Sequence, residues 1–278
     1  MKFGDLTVNI VSDGRLKLDG GAMFGLVPKL LWERKVKVDR RNRVTLGLNC
    51  LLIQSPDATI LVDTGIGTKE SARVKDRHGL TSSRLLRSLK AHGVSPRDVN
   101  MVVLTHLHFD HCGGNTRLNR NGDLVPTFPR ATYIVQRSCW EDANAPSERN
   151  KAAFHPDNFQ PLIEQDQLRI LEGDTELIPK VWVRATGGHA RGHQIVTIES
   201  ETEKLAFLGD LIPTVHHLPL PYVSSFDFAP DESVERKRQL LDLITKDGWV
   251  VAFSHDSENQ AGYLSKRNGS TLFRAITL

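Results

Sequence analysis

Between Thr105 and Gly114 the chain reads Thr-His-Leu-His-Phe-Asp-His-Cys-Gly-Gly, which places three imidazoles and one carboxylate within six residues. Neutral imidazoles and carboxylates are the nitrogen and oxygen ligands that zinc and related divalent cations prefer. The cluster follows the apolar run Met101-Val102-Val103-Leu104, which reads as a buried strand ending at a sheet edge. On an extended backbone His106 and His108 point the same way. Asp110 and His111 come after the turn and approach from another side. One cation rarely takes all four groups, so the spacing points to two. The competing reading is a polar loop with chance histidines, since the chain has eleven of them.

Several other elements must come together to complete such a site. Runs of aliphatic and β-branched residues between turn formers predict strands over Leu6–Ser12, Val44–Gln54, Ala58–Val62, Ala131–Gln136, Gln167–Leu171, Lys180–Arg184, Ile195–Glu199, Lys204–Leu208 and Trp249–Phe253. Asp13-Gly14 reads as a turn closing the first of these, and Asn115 to Pro129 as a loop. A helix is expected from a Thr81 cap to about His92, with Leu85, Leu86 and Leu89 on one face and Gly93 as its stop. A second, broken by Pro146, spans Ser138 to about Ala153, and a third spans Asp231 to about Lys246 with Val234, Leu241 and Ile244 inward. Four times a strand hands over an acid or histidine beside glycine or serine: Asp63-Thr64-Gly65, Gly188-His189, Gly209-Asp210 and Ser254-His255. Asp63 is either a turn former or a residue that orients metal ligands. Two strand-rich halves with helices imply an α/β fold with a two-sheet core covered by helices, in one domain spanning 1–278. A glycine-rich flap or loop occupies about 19–43.

A length of 278 residues is ample for a real core, and a net charge of +3 does not call for a nucleic-acid partner. Arg34 to Arg43 holds six basic residues but no interleaved aromatics, as expected of a solvated loop. The start Met1-Lys2-Phe3-Gly4-Asp5 lacks the apolar core of a signal peptide, and no apolar run approaches the roughly 20 residues that span a bilayer. Three cysteines without C-x-x-C spacing fit a reduced protein. The expectation is a cytoplasmic protein with neither membrane nor nucleic acid as partner.

The pattern H-x-H-x-D-H at 106–111, with Asp63-Thr64-Gly65 upstream and Gly-His, Gly-Asp and Ser-His downstream, resembles the metallo-β-lactamase-fold hydrolases. The stretches Asp19–Pro28 and Thr186–His189 look like the YtnP-type quorum-quenching lactonases, close to methyl parathion hydrolase and the N-acyl-homoserine lactonases. The resemblance implies a four-layer αβ/βα sandwich, two mixed β-sheets flanked by helices. It assigns His106, His108 and His189 to a first metal, Asp110, His111 and His255 to a second, and Asp210 to both. His193 then supports the ligands from behind. Two divalent ions per chain are implied, zinc first, with manganese, iron or cobalt accepting the same ligands. Relatives with this flap also imply a homodimer.

Two adjacent cations lower the pKa of a shared water, and the resulting hydroxide attacks an acyl or phosphoryl centre. Asp110 and Asp210 are the candidate catalytic carboxylates. The leading expectation is a lactonase opening N-acyl-homoserine lactones, with Met23, Phe24, Leu26 and Trp32 walling the acyl chain. Such lactonases commonly carry a tyrosine soon after the bridging aspartate. Here the sequence runs Asp210-Leu-Ile-Pro-Thr-Val-His-His, leaving Thr214, His216, His217 or Tyr222 as substitutes. The alternatives are an arylesterase, an organophosphate or thioester hydrolase on the same scaffold, or a ligand-binding relative without turnover.

Overall fold

The computed structural model describes residues 1–267 and 269–278. Its first half supplies β1 (Lys2–Phe3), β2 (Leu6–Asp19), β3 (Arg43–Gln54), β4 (Thr59–Val62), β5 (Met101–Val103), a short hairpin of β6 (Thr116–Leu118) and β7 (Leu124–Pro126), then β8 (Thr132–Gln136) and β9 (Leu168–Leu171). The second half supplies β10 (Thr175–Ile178), β11 (Val181–Ala185), β12 (Gln194–Glu199), β13 (Lys204–Phe207), β14 (Val250–Ala252), β15 (Ala261–Arg267) and β16 (Ser270–Ile276). The strand orders are β1-β2-β3-β4-β5-β8-β9 and β10-β11-β12-β13-β14-β15-β16. Both sheets are mixed: β4, β5, β8 and β9 pair in parallel, as do β13 and β14, while the remaining pairs are antiparallel.

The helices are α1 (Gly20–Phe24), α2 (Lys29–Trp32), α3 (Ala72–His78), α4 (Leu85–Ala91), α5 (Phe109–Cys112), α6 (Arg137–Asn144), α7 (Gln160–Glu164) and α8 (Pro230–Asp247). Residue alternation sorts the layers. Leu51, Ile53, Ile60 and Val62 of one sheet meet Val183, Val196, Leu205 and Phe207 of the other in the central layer. Their neighbours Cys50, Leu52 and Leu61 face outward onto Leu85, Leu89, Cys139 and Leu162 of α4, α6 and α7. On the far side Ala206 and Val251 pack against Leu241 and Ile244 of α8. The result is the four-layer sandwich. α8 starts with Pro230, Asp231 and Glu232 and stops at a left-handed Gly248, the terminal signals its sequence carries.

Several expectations are corrected. Asp13-Gly14 is a bulge within one fourteen-residue strand, where the register against β3 shifts between Ser12 and Arg15. The buried Asp13 carboxylate accepts from the amides of Ile66, Gly67, Arg84 and Leu85, which a turn residue could not reach. Thr81 caps no helix; its hydroxyl accepts from Arg15 N at 2.8 Å, and α4 begins only at Leu85. Leu86 is exposed, because i and i+4 share the inward face and i+1 does not. The stretch after Asn115 forms the β6–β7 hairpin rather than a plain loop. The closing hairpin β15–β16 has no counterpart among the expected strands, because charged residues interrupt its alternation. No helix among the described residues is long and apolar enough to cross a membrane.

Candidate metal centre

His106 and His108 follow β5, Asp110 and His111 ride on α5, His189 lies after β11, Asp210 sits in the 3-10 turn Gly209–Leu211 after β13, and His255 follows β14. β11, β13 and β14 run the same way, so their C-terminal ends share one edge. Asp63 leaves β4 with a left-handed backbone (φ 59°), which costs about 1–3 kcal/mol in a non-glycine residue. The turn aims its carboxylate under the histidine stretch, where it accepts from Thr105 N and Thr105 Oγ1 and meets His111 Nδ1, each at 2.8 Å. Past α5 the chain lies against residues 64–66 so closely that a Cβ on Gly114 would stand 2.2 Å from the Thr64 carbonyl oxygen.

All seven expected ligands converge. Ligand atoms of His106, His108 and His189 lie within 4.8 Å of one another, as do those of Asp110, His111 and His255. Asp210 stands between the groups: Oδ1 is 3.2 Å from both His111 Nε2 and His255 Nε2, and Oδ2 is 3.5 Å from His189 Nε2. Four of the rings have a partner on the nitrogen turned away from the centre. His111 Nδ1 meets Asp63, His189 Nδ1 meets Asp227 at 2.9 Å, and His255 Nδ1 meets the Gly47 carbonyl at 2.8 Å. The Thr105 hydroxyl donates to Asp63 and so accepts from His106 Nδ1 at 3.0 Å. These partners put the ring protons on the outer nitrogens. The inner nitrogens face one another at close range: His111 Nε2 and His255 Nε2 at 3.0 Å, His106 Nε2 and His108 Nδ1 at 3.0 Å, His108 Nδ1 and His189 Nε2 at 3.2 Å. A cation among these nitrogens and the Asp210 carboxylate would meet only nitrogen and oxygen donors, so the donor set fits divalent metals.

The electrostatics agree. Burial, reinforced by neighbouring imidazoles, pushes His106 and His108 well below the ordinary histidine range. At His111 burial acts in the same direction, but the Asp210 and Asp63 carboxylates outweigh it and draw the imidazole well above that range. Burial would raise the Asp210 carboxyl, yet His255, His111 and His189 hold it well below the usual carboxylate range. Around Asp210 and His111 the centre therefore favours positive charge. His193 is no part of the inward-facing set: its Nε2 accepts from Asp210 N at 3.0 Å and its Nδ1 lies 2.6 Å from Thr186 Oγ1.

A cavity of about 380 Å³ opens over His108, Asp110, His189, Asp210 and His255. Of the expected pocket residues, Met23 lines it. Phe24, Thr214, His216 and His217 line a neighbouring cavity that shares Met23 and His255. Trp32 is buried and stacks on Phe24 from behind, with centroids 5.1 Å apart, and Tyr222 meets Phe24 edge-on. Leu26 is 99% exposed and lines neither cavity. The apolar wall comes instead from Phe109, Ala152, Ala153, Phe226 and Phe228. Sequence pattern does not single out Phe226, Phe228 or Asp227. Their only trace is an acid between two aromatics, Phe226-Asp227-Phe228, in a stretch without periodicity. His78 and His155 flank Phe109, and His78 also lines the cavity.

Two facing mixed sheets with a histidine and aspartate centre at their strand ends define a metal-dependent hydrolase scaffold. The Metallo-beta-lactamase superfamily profile matches residues 44–255, and the chain belongs to that superfamily. It is 28% identical over 237 residues to an N-acyl homoserine lactonase of Bacillus cereus, covering 80% of this chain and 86% of that protein. A probable metal-dependent hydrolase from Staphylococcus aureus superposes over the whole of both chains with a TM-score of 0.91 at 30% identity. An N-acyl homoserine lactone hydrolase with the product N-hexanoyl-L-homoserine bound at its catalytic metal centre superposes with a TM-score of 0.67 at 26% identity, covering 90% of this chain and 93% of that one. The chain is thus a metal-dependent hydrolase of this superfamily.

Proposed function

We propose that this hydrolase opens lactone rings, with N-acyl-homoserine lactones as its substrates, at a centre of two divalent ions, zinc first. The observation that carries the reading is the pair of ligand groups spanned by Asp210 beneath a largely apolar cavity. His106, His108 and His189 would hold one ion, Asp110, His111 and His255 the other, and Asp210 would contact both. Bound there, such ions supply Lewis acidity toward the acyl oxygen and lower the pKa of water toward neutrality.

The chain's own residues do the rest. The Ser254 hydroxyl donates to Asp210 Oδ1 at 2.9 Å while His193 accepts the amide of the same residue, fixing the orientation of the carboxylate. Asp110 lines the cavity and can take the proton of the attacking water and return it to the departing alkoxide. Phe226, Phe228 and Phe109 give an acyl chain an apolar surface without directional groups, so chain length is read loosely.

One observation favours a second reading. No residue of the loop from Thr214 to His217 reaches this cavity, and Tyr222 lies against Phe24, so the tyrosine hydroxyl expected of a lactonase has no replacement there. An arylesterase or phosphotriesterase would not need it. A panel on metal-replete protein decides between them: acyl-homoserine lactones, aliphatic lactones, aryl esters, a phosphotriester and a thioester. Lactones turned over with the highest kcat/KM support the proposal; aryl ester or phosphotriester turnover without lactone opening overturns it.

A further inference from the structure

The inward stripe of α8 consists of Ser233, Lys237, Leu241 and Ile244. Val234, which the apolar pattern turns inward, is only half-buried. The lysine at the second position is 1% exposed. Burying an ammonium is costly unless its hydrogens are met. They are met here by backbone: Lys237 Nζ donates to Pro219 O at 2.7 Å, Tyr222 O at 2.9 Å and Leu220 O at 3.5 Å. Three donors meet three carbonyls of one short segment. That segment contains Pro219 and Pro221, which have no N–H of their own for a ladder or helix.

The next residues, Val223 to Phe228, connect this segment to the flap and the cavity. Val223 lies so close to the flap that a Cβ on Gly25 (φ +57°) would stand 2.3 Å from its carbonyl oxygen. Ser225 N and Ser224 Oγ both donate to Ala22 O, at 2.8 and 3.1 Å. Phe226 and Phe228 line the cavity, and Phe228 N donates to His189 O at 2.9 Å. Lys237 itself does not line the cavity.

We propose that Lys237 is a positioning residue for substrate: its ammonium fixes the backbone of residues 219–222 and through it the cavity wall from Ser224 to Phe228. The proposal rests on the cavity over the metal centre being where substrate binds. Burial pushes the ammonium down to about 7, against the Asp227 carboxylate, which favours the charge. His217, which faces it from the turn Val215–His217, is kept neutral by burial and adds none. A deprotonated amine turns a lone pair toward a carbonyl, so the wall slackens as pH rises through that value.

The test compares wild type with Lys237→Met and Lys237→Gln, all metal-replete, using N-hexanoyl-homoserine lactone and p-nitrophenyl acetate as substrates. In Lys237→Met the KM is expected to rise about tenfold with kcat within about threefold and metal content unchanged. Lys237→Gln, which keeps two N–H groups, should fall between. The wild-type KM should climb above about pH 7, where the lysine loses its proton, while that of Lys237→Met stays flat. Hydrogen exchange at Ser225 and Phe228 should quicken in both variants. A wild-type KM and exchange rate in Lys237→Met, or in Lys237→Gln should the first variant fail to fold, overturns the proposal. So does a fall in kcat or metal content with KM unmoved. A wild type inactive on the lactone would overturn the lactonase reading instead, and the KM for p-nitrophenyl acetate with the exchange rates would still decide the role of the lysine.

Discussion

The metal centre and the cavity wall beside it are built in opposite ways. At the centre, the outer ring nitrogens of His106, His111, His189 and His255 are each held by a specific acceptor, and the residues sit at strand ends or on α5. Part of the wall, Phe226 and Phe228, lies on a loop and stays 45% and 39% exposed. The wall's order comes from its backbone, through Ala22, His189 and the Arg149 guanidinium, which donates to Ser225 O at 2.7 Å. A centre fixed by side-chain hydrogen bonds keeps one chemistry, whereas a wall fixed by backbone can exchange side chains and so change substrate.

This contrast can be broken by mutation. Asp210→Asn should have the largest effect, because it weakens the one group spanning both ligand sets. Loss of metal and a fall in kcat/KM of about a thousandfold or more are expected. Metal analysis with steady-state kinetics checks it, and full activity would end the two-metal account. Asp227→Asn should lower metal affinity by about 10–100-fold, since His189 loses the carboxylate that fixes its ring. Competition against a chelator measures this.

On the wall, Phe228→Ala should raise KM for a long-chain substrate by about tenfold and leave metal content alone. If it stripped metal, the separation between wall and centre would be wrong. The smallest effect concerns His217, whose imidazole burial pushes down to about 3 from its ordinary 6.5. The unfolded chain then binds one more proton than the folded one between those values, so stability falls as pH drops through that window. Thermal melts at about pH 7 and 4 should show a smaller drop for His217→Gln than for wild type. An equal drop would show that the ring does not stay neutral.

Legibility in the sequence divides along the same line. His106, His108, Asp110 and His111 lie on one short stretch, and His189, Asp210 and His255 each follow an apolar strand beside glycine or serine, so local pattern and a family resemblance suffice to collect them. The strands of the central layer are legible because burial on both faces leaves continuous aliphatic runs. Asp13 reads as a turn because its five partners, at Ile66, Gly67 and residues 83–85, lie more than fifty positions away. Phe24 and Trp32 suggest a pocket by their apolar character alone, which cannot distinguish a wall from the packing behind it.

The order of residues is enough to suggest the layered fold and, with the family resemblance, the candidate ligands, since strand periodicity and ligand chemistry are local properties of residue type. Folding in three dimensions selects the partner of each imidazole, buries Lys237 under the segment 219–222, and turns Phe226 and Phe228 rather than Leu26 toward the cavity. Those choices rest on contacts between loops distant in sequence, and no residue type announces its partner across that distance.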